Sequence, residues 1–431
     1  LNIHLKNGRL IDPVSGKQDS LDMLIVDGMI EKIGRVSATT QLKVIDLAGK
    51  VIAPGFLDMH VHLREPGFEY KETIETGLLA AASGGFTALC CMPNTNPTLD
   101  EAPIVRHVLE RAKSVQNGIV DLYPIAAITR NREGKELSPM MELAHCGVVG
   151  FSDDGAPVES AEVMRRAMEY ASMLKKPIIQ HAEDPSLTKG GVMNEGFVST
   201  SLGMQPIPPV AEVVMVARDL ILAEYTGAQY HVAHISTAGA VELLRGAKKK
   251  NQDVSAEAAP HHFSLTEESV RSFDTNTKMN PPLRTRQDVE AVKEGLRDGT
   301  IEVIATDHAP HSYDDKQVEF MYAPFGIVGL ETALGLAIRE LLESKVLSLY
   351  QLVEKFSTNP RRILHLPPIN IAEGEAANLT LFDPDLEWVV DCSQFKSKSR
   401  NTPFGTWKLK GKALGIINNG HLYSEGGFGM S

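Results

Sequence analysis

Cysteine is scarce in this chain. Its 431 residues include four, Cys90, Cys91, Cys146 and Cys392, and no two have CxxC spacing. That excludes a disulfide framework and a cysteine-built structural zinc site, and it fits a reducing compartment. Cys90 and Cys91 adjoin inside an apolar run and read as small core residues. Positive charge is also short: 43 Lys and Arg face 55 Asp and Glu, a formal charge of −12. Such a balance argues against nucleic-acid binding, and an anionic substrate would need a local cationic site. No run of about 18 apolar residues occurs, so no membrane span is expected. The first residues read as a strand, not as a basic segment leading into a long apolar one. No signal peptide is therefore expected, and the expected location is cytoplasmic. Internal repeats and low-complexity segments are absent.

What the chain has is enough apolar residue, 43%, for one large domain and a smaller one. Residues 1 to about 53 read as short strands and turns: Asn2–Leu5, Met23–Val26, Met29–Ile33 and Val44–Leu47, with Asn7-Gly8 and Asp27-Gly28 turns. After Pro54-Gly55 strand-like and helix-like segments alternate. The strand candidates are Gly55–His62, Thr87–Met92, Asp121–Ile128, Gly147–Asp154, Pro177–Asp184, Gln229–Ser236, Val254–His261 and Ile301–Asp307. Amphipathic stretches separate them, among them Ser160–Leu174, Val210–Thr226, Gly239–Lys250 and Arg286–Arg297, and Gly329–Ser344 follows the last. Alternating units of this number predict an α/β fold, a (β/α)8 barrel of the TIM type, over residues 54–365. After Asn359-Pro360 the texture returns to strands: Asn378–Phe382, Glu387–Val390, Trp407–Lys410 and Lys412–Asn418. Residues 1–53 and 366–431 are therefore expected to pair into one small β-sandwich beside the barrel.

Histidines and aspartates recur at the carboxyl ends of the predicted strands. His60 and His62 close the first, Asp153 and Asp154 the fourth, His181 the fifth, His234 the sixth and Asp307 the eighth. Period 2 along a strand puts His60 and His62 on one face. In a barrel, ligands at different strand ends meet at one mouth, and imidazole with carboxylate suits zinc.

Four motifs then carry a resemblance. His60-Val61-His62-Leu63-Arg64-Glu65-Pro66-Gly67, Met92-Pro93-Asn94-Thr95, Gly150-Phe151-Ser152-Asp153-Asp154-Gly155 and Ala305-Thr306-Asp307-His308-Ala309-Pro310-His311 resemble those of dihydroorotases in the amidohydrolase superfamily. The likeness spans nearly the whole chain. It implies a binuclear zinc centre, with His60, His62 and Asp307 on one Zn2+ and His181 and His234 on the other. Many relatives bridge the metals with a carboxylated lysine. Gly147–Asp154 contains no lysine, a departure that matches the bacterial type I branch, where an aspartate takes that place. Asp154 is favoured, since it lies 27 residues before His181 as the family spacing expects; Asp153 is the alternative, and one of the pair is expected only to cap the following helix.

The resemblance assigns Arg64 and Asn94 to a substrate carboxylate, a role that suits a planar guanidinium and an amide donor. It also implies substrate contacts at Asn280, His311 and the Phe325-Gly326 backbone. His261 and His262 are expected to be structural, and His231 not to be a ligand. The implied reaction is the reversible, zinc-dependent cyclisation of N-carbamoyl-L-aspartate to L-dihydroorotate in pyrimidine biosynthesis. Asp307 would double as the catalytic proton shuttle. The partners expected are a small-molecule substrate and a second copy in a homodimer, with no nucleic acid and no membrane. Association with other enzymes of the pathway has no support in the sequence. The nearest rivals are dihydropyrimidinases, hydantoinases and allantoinases, which usually carry the bridging lysine. A non-catalytic dihydroorotase-like subunit would have lost ligands that this chain keeps.

Overall fold

The structure, a computed structural model, describes residues 1–36, 42–250 and 252–425. Eight parallel strands follow one another in chain order around a barrel. They are Phe56–Val61, Phe86–Cys91, Asp121–Ala126, Gly150–Phe151, Ile178–Gln180, Tyr230–Val232, Val254–Ala258 and Val303–Ile304. Closure comes just past the eighth, where Val61 and His308 form a parallel bridge and His62 N donates to His308 O at 2.8 Å. All eight predicted strands are present; the second keeps its six residues one position earlier and the other seven are shorter. Their outer residues leave the ladder to become the loops that carry the polar side chains.

The helices begin and end where the sequence offers caps. Thr73 and Thr76 form a capping box ahead of helix Ile74–Gly84, and Gly85 ends it in the left-handed region. Ser160 caps Ala161–Leu174, Thr237 caps Ala238–Lys249, and Thr285 with Asp288 boxes Arg286–Asp298. Their apolar faces cover the strands from outside in one continuous core. A separate cluster, including Leu57, Met59, Cys90, Ile125, Ile179 and Val303, fills the barrel's interior. Cys90 and Cys91 are both buried, one in each cluster.

The two ends of the chain meet in a second sheet. Leu379–Val389 pairs antiparallel with Val51–Pro54, which lies parallel to Ile3–Leu10. Ile3–Leu10 also pairs with Lys43–Asp46 along its first half, so the sheet forks there. Strands from both arms bury Ile3, Leu5, Ile45, Leu379, Leu381 and Ile417 in one core. The expected strands Asn378–Phe382 and Glu387–Val390 are one strand with an irregularity between Asp383 and Glu387. Pro384 lies there, and its missing N–H interrupts the ladder without ending it. Trp407–Lys410 and Lys412–Asn418 likewise join through Gly411 at φ 89°. Between these strands the chain leaves the sheet and packs on the barrel loops, where Asn401 donates to Ala309 O and Gly326 O at 3.0 Å each.

Candidate metal centre

The first strand pairs with the second through an irregular register. Three steps from Asp58 to Val61 face two from Leu89 to Cys91, an inserted residue that forms a bulge. Bulges re-aim the side chains at and beside them; His60 lies within this one and His62 just past it. His60 Nε2 lies 3.4 Å from Asp154 Oδ1 and 3.5 Å from Asp307 Oδ1. His62 Nε2 lies 3.0 Å from Asp307 Oδ1 and 3.5 Å from Asp154 Oδ2.

The fifth and sixth strands bring the other half. His181 Nδ1 is 2.9 Å from His234 Nε2 and 3.8 Å from Asp154 Oδ1, which is 3.6 Å from His234 Nε2. Asp154 thus stands between all four imidazoles. His60, His62 and Asp307 present ligand atoms within 4.8 Å of one another, and so do His60, Asp154 and His234. All of these residues are buried.

Asp153, its neighbour, points elsewhere. Its carboxylate accepts from Thr129 N at 3.0 Å and from the Thr129 hydroxyl, tying the fourth strand to the loop after the third. Both aspartates lie past the strand Gly150–Phe151, and the carboxylate that Asp153 spends on Thr129 is turned away from the mouth that Asp154 faces.

Asp307 is at φ 48° and His234 at φ 31°, both in the left-handed region that non-glycine residues enter at a cost. Neighbouring acids hold these turns. Asp58 accepts from Thr306 N at 3.1 Å and from His60 N at 3.1 Å, locking the eighth strand to the first. Glu257 accepts from His234 N at 3.3 Å.

Burial opposes charge here, and the opposite charges outweigh it at Asp154, Asp307, His60 and His181, whereas at His62 burial prevails and lowers the pKa. Burial raises Asp307 and Asp154, but His60 and its fellow histidines bring both far below the usual carboxylate range. Burial lowers His60, while Glu257, Asp154 and Asp307 lift it well above its ordinary value. Asp58 has no such cation, and burial pushes it up to about 7. The mouth therefore concentrates anionic oxygen and calls for positive charge.

Beside the cluster lies the cationic side. Arg64 Nε donates to Pro310 O at 3.1 Å. Lys71 Nζ, a donor only, sits 3.2 Å from His311 Nδ1, so His311 carries its proton on Nε2 and donates it to Phe325 O at 2.8 Å. Arg64 Nη2, 3.4 Å from that same Nε2, finds no acceptor there. Its remaining N–H groups are free to take an anion. Burial and the Arg64, Lys71 and Lys316 charges keep His311 neutral by lowering its pKa. Gly326 runs so close to the eighth-strand loop that a Cβ would lie 2.6 Å from Ala309 O, which only glycine permits. Asn94 Oδ1 accepts from His62 Nδ1 at 2.8 Å, leaving its amide nitrogen as donor. Asn280 Nδ2 donates to Glu183 Oε2 at 2.5 Å, and Glu183 also takes His181 Nε2–H at 3.0 Å. A polar cleft of about 500 Å³ opens next to these two, lined also by Arg132 and Ser160.

His261 and His262 are buried after the seventh strand. His262 Nε2 donates to Pro281 O at 2.8 Å, steadying the loop of Asn280. His231 Nε2 lies 3.2 Å from Glu257. Glu257, Glu183 and Asp58 were missed by motif reading. The signal for Asp58 and Glu257 was an acid inside a short strand buried along its whole length, which is costly unless it is partnered.

Residues 49–240 match a family model described as Dihydro-orotase-like. A dihydroorotase of Pelotomaculum thermopropionicum is 51% identical over 425 residues, covering 99% of each chain. That of Syntrophus aciditrophicus is 50% identical over 430 residues, 99% of this chain and 100% of its own. Among solved structures, the L-hydantoinase (dihydropyrimidinase) of Arthrobacter aurescens aligns with a TM-score of 0.87 over 98% of this chain and 96% of its own, at 24% identity. A D-hydantoinase (dihydropyrimidinase) of Thermus sp. gives 0.82 over 100% and 97%, also at 24%. At that identity the likeness is one of fold.

Proposed function

The chain belongs to the dihydroorotase family, and from that membership we propose how its barrel mouth interconverts L-dihydroorotate and N-carbamoyl-L-aspartate. The enzyme is a cyclic amidohydrolase with a small-molecule substrate. The observation that carries the reading is the juxtaposition, in one mouth, of a buried His and Asp cluster with an Arg64 that no carboxylate among the described residues pairs with.

Two tests on the residues fit a metal centre. His60 Nε2 and Asp154 Oδ1 are buried and without a hydrogen-bond partner, although they face one another across 3.4 Å. The donor set, imidazole nitrogen with carboxylate oxygen, is that of zinc. We assign His60, His62 and Asp307 to one ion and His181 and His234 to a second, with Asp154 reaching both. The chemistry such a pair supplies when bound is Lewis acidity toward a carbonyl oxygen and toward water.

The chain's own residues do the rest. Arg64 and the Asn94 amide hold the substrate carboxylate and fix the ring's orientation. His311 and the Phe325-Gly326 backbone close the opposite side of that pocket, and Asn280 closes the flank. In the hydrolytic direction the ring amide carbon–nitrogen bond breaks as water adds to the carbonyl carbon. Asp307, held ionised, takes the proton of the attacking water and returns it to the departing nitrogen. Ring closure runs these steps in reverse and releases water.

The test pairs a metal analysis with an assay of N-carbamoyl-L-aspartate cyclisation. Two zinc ions per chain and cyclisation that a chelator removes are expected. Cyclisation that persists in metal-free protein would overturn the assignment. A homodimer is the assembly we propose, and sedimentation velocity reads it directly. No helix among the described residues is long and apolar enough to cross a membrane.

A further inference from the structure

Glu257 lies in the middle of the seventh barrel strand, 1% exposed. Its carboxylate collects three donors. Oε1 lies 2.5 Å from His60 Nδ1 and 3.3 Å from His234 N, and Oε2 lies 3.2 Å from His231 Nε2. His231 Nδ1 then meets Ser255 Oγ at 2.7 Å. An ionised carboxylate only accepts. His60 must therefore carry its proton on Nδ1 and His231 on Nε2, while the Ser255 hydroxyl donates to His231 Nδ1. The chain of hydrogen bonds has one free end, His60 Nε2, which is buried without a partner among the described residues and faces Asp154 and Asp307.

We propose that Glu257 is a positioning residue for the metal centre: it sets the tautomer and ring plane of His60 and, through His234 N, the backbone turn that carries a ligand of the other half. The inference rests on the metal-dependent reading above. A buried acid on an apolar strand costs several kcal/mol unless its charge is used. The donors here come from the first and sixth strands, which bear ligands of different halves. One carboxylate thus aligns two ligands that are 174 positions apart in sequence, at 60 and 234. Outer partners of metal-bound histidines fix their orientation and raise their basicity, and losing one weakens metal binding about 10–100-fold.

The test compares Glu257→Leu with Glu257→Gln by zinc titration into metal-free protein against a chelating dye, with circular dichroism to check the fold. The Gln carbonyl still accepts from His60 Nδ1, whereas Leu fills the space and accepts nothing. Zinc affinity should fall about 10–100-fold in Glu257→Leu, with Glu257→Gln between it and the parent. A purely packing role gives the opposite order, because Leu suits the apolar strand better than an amide does. Equal affinity in all three, or Leu above Gln, overturns the proposal. A parent protein that takes up no zinc overturns the metal reading instead. If Glu257→Leu does not fold, the histidine ¹⁵N–¹H correlations of the zinc-loaded parent decide. His60 is expected to carry its proton on Nδ1, and a proton on Nε2 overturns the proposal.

Discussion

In the half of the mouth formed by His60, His62 and Asp307, each imidazole has a partner behind it. Glu257 stands behind His60 and Asn94 behind His62. In the half formed by Asp154, His181 and His234, among the described residues only His181 has one, Glu183, and the buried His234 Nδ1 has none. Glu183 is also 17% exposed at its side chain, against 1% for Glu257. The first half is thus set by the barrel interior and the second leans on a cleft open to water. Hydrogen bonds in a dry interior are stronger and better aligned than those that compete with solvent. The first half should hold its geometry without metal, and the second should depend more on being filled.

The largest effect should come from the first half's own carboxylate. Asp307→Ala should lower turnover at least about 10³-fold, since it removes the residue we propose as both a metal ligand and the proton shuttle. Circular dichroism should remain that of the parent. Near-parental turnover in a folded variant would break the division of labour between the halves.

Arg64 belongs to neither half. Arg64→Met should raise KM for dihydroorotate by the equivalent of about 2–5 kcal/mol, the cost of leaving a bound carboxylate without its partner. Zinc content should not change. An unchanged KM would place the carboxylate elsewhere.

Asp154 stands between the halves, so on the proposed assignment Asp154→Asn should weaken zinc binding in both, by more than the roughly 10–100-fold that losing an outer partner costs. Asp153→Asn should leave zinc binding intact and cost about 1–3 kcal/mol of stability, because Thr129 loses its charged acceptor. Isothermal calorimetry with a denaturant curve reads both. Metal loss in Asp153→Asn instead would reverse the assignment.

Smaller still, Glu183→Gln should weaken the second ion by about tenfold, the low end for an outer partner, and less than Glu257→Leu weakens the first. The reverse order would contradict the contrast between buried and solvent-facing support. Last, metal-free enzyme should regain full activity with zinc alone, and added bicarbonate should change nothing. A bicarbonate requirement would mean a carboxylated lysine and would remove Asp154 from its place.

The barrel was legible because its strands are short apolar runs between amphipathic segments with clear caps, such as Ser160 and the Thr285 and Asp288 box. The His-Val-His pair was legible because a period of 2 keeps both rings on one face. The outer partners were not. Glu257 and Asp58 carry no motif, and their meaning depends on the strands beside them in the closed barrel. Asn94 read as a substrate contact, but its oxygen is already given to His62, a division that only the approach of the first and second strands reveals.

The sequence by itself determined the fold class, the His and Asp residues at the strand ends, the lack of lysine in Gly147–Asp154 and the family. Each of these follows from local pattern, since periodicity, caps and motif spacing are written along the chain. Only the tertiary structure places Asp154 among the four imidazoles and Asp153 against Thr129, because both lie past the short fourth strand, in a turn whose path no strand periodicity sets. It also decided which nitrogen of each imidazole faces the centre. That choice rests on partners brought from other strands, where closing the barrel sets hydrogen bonds across distances that no local pattern encodes.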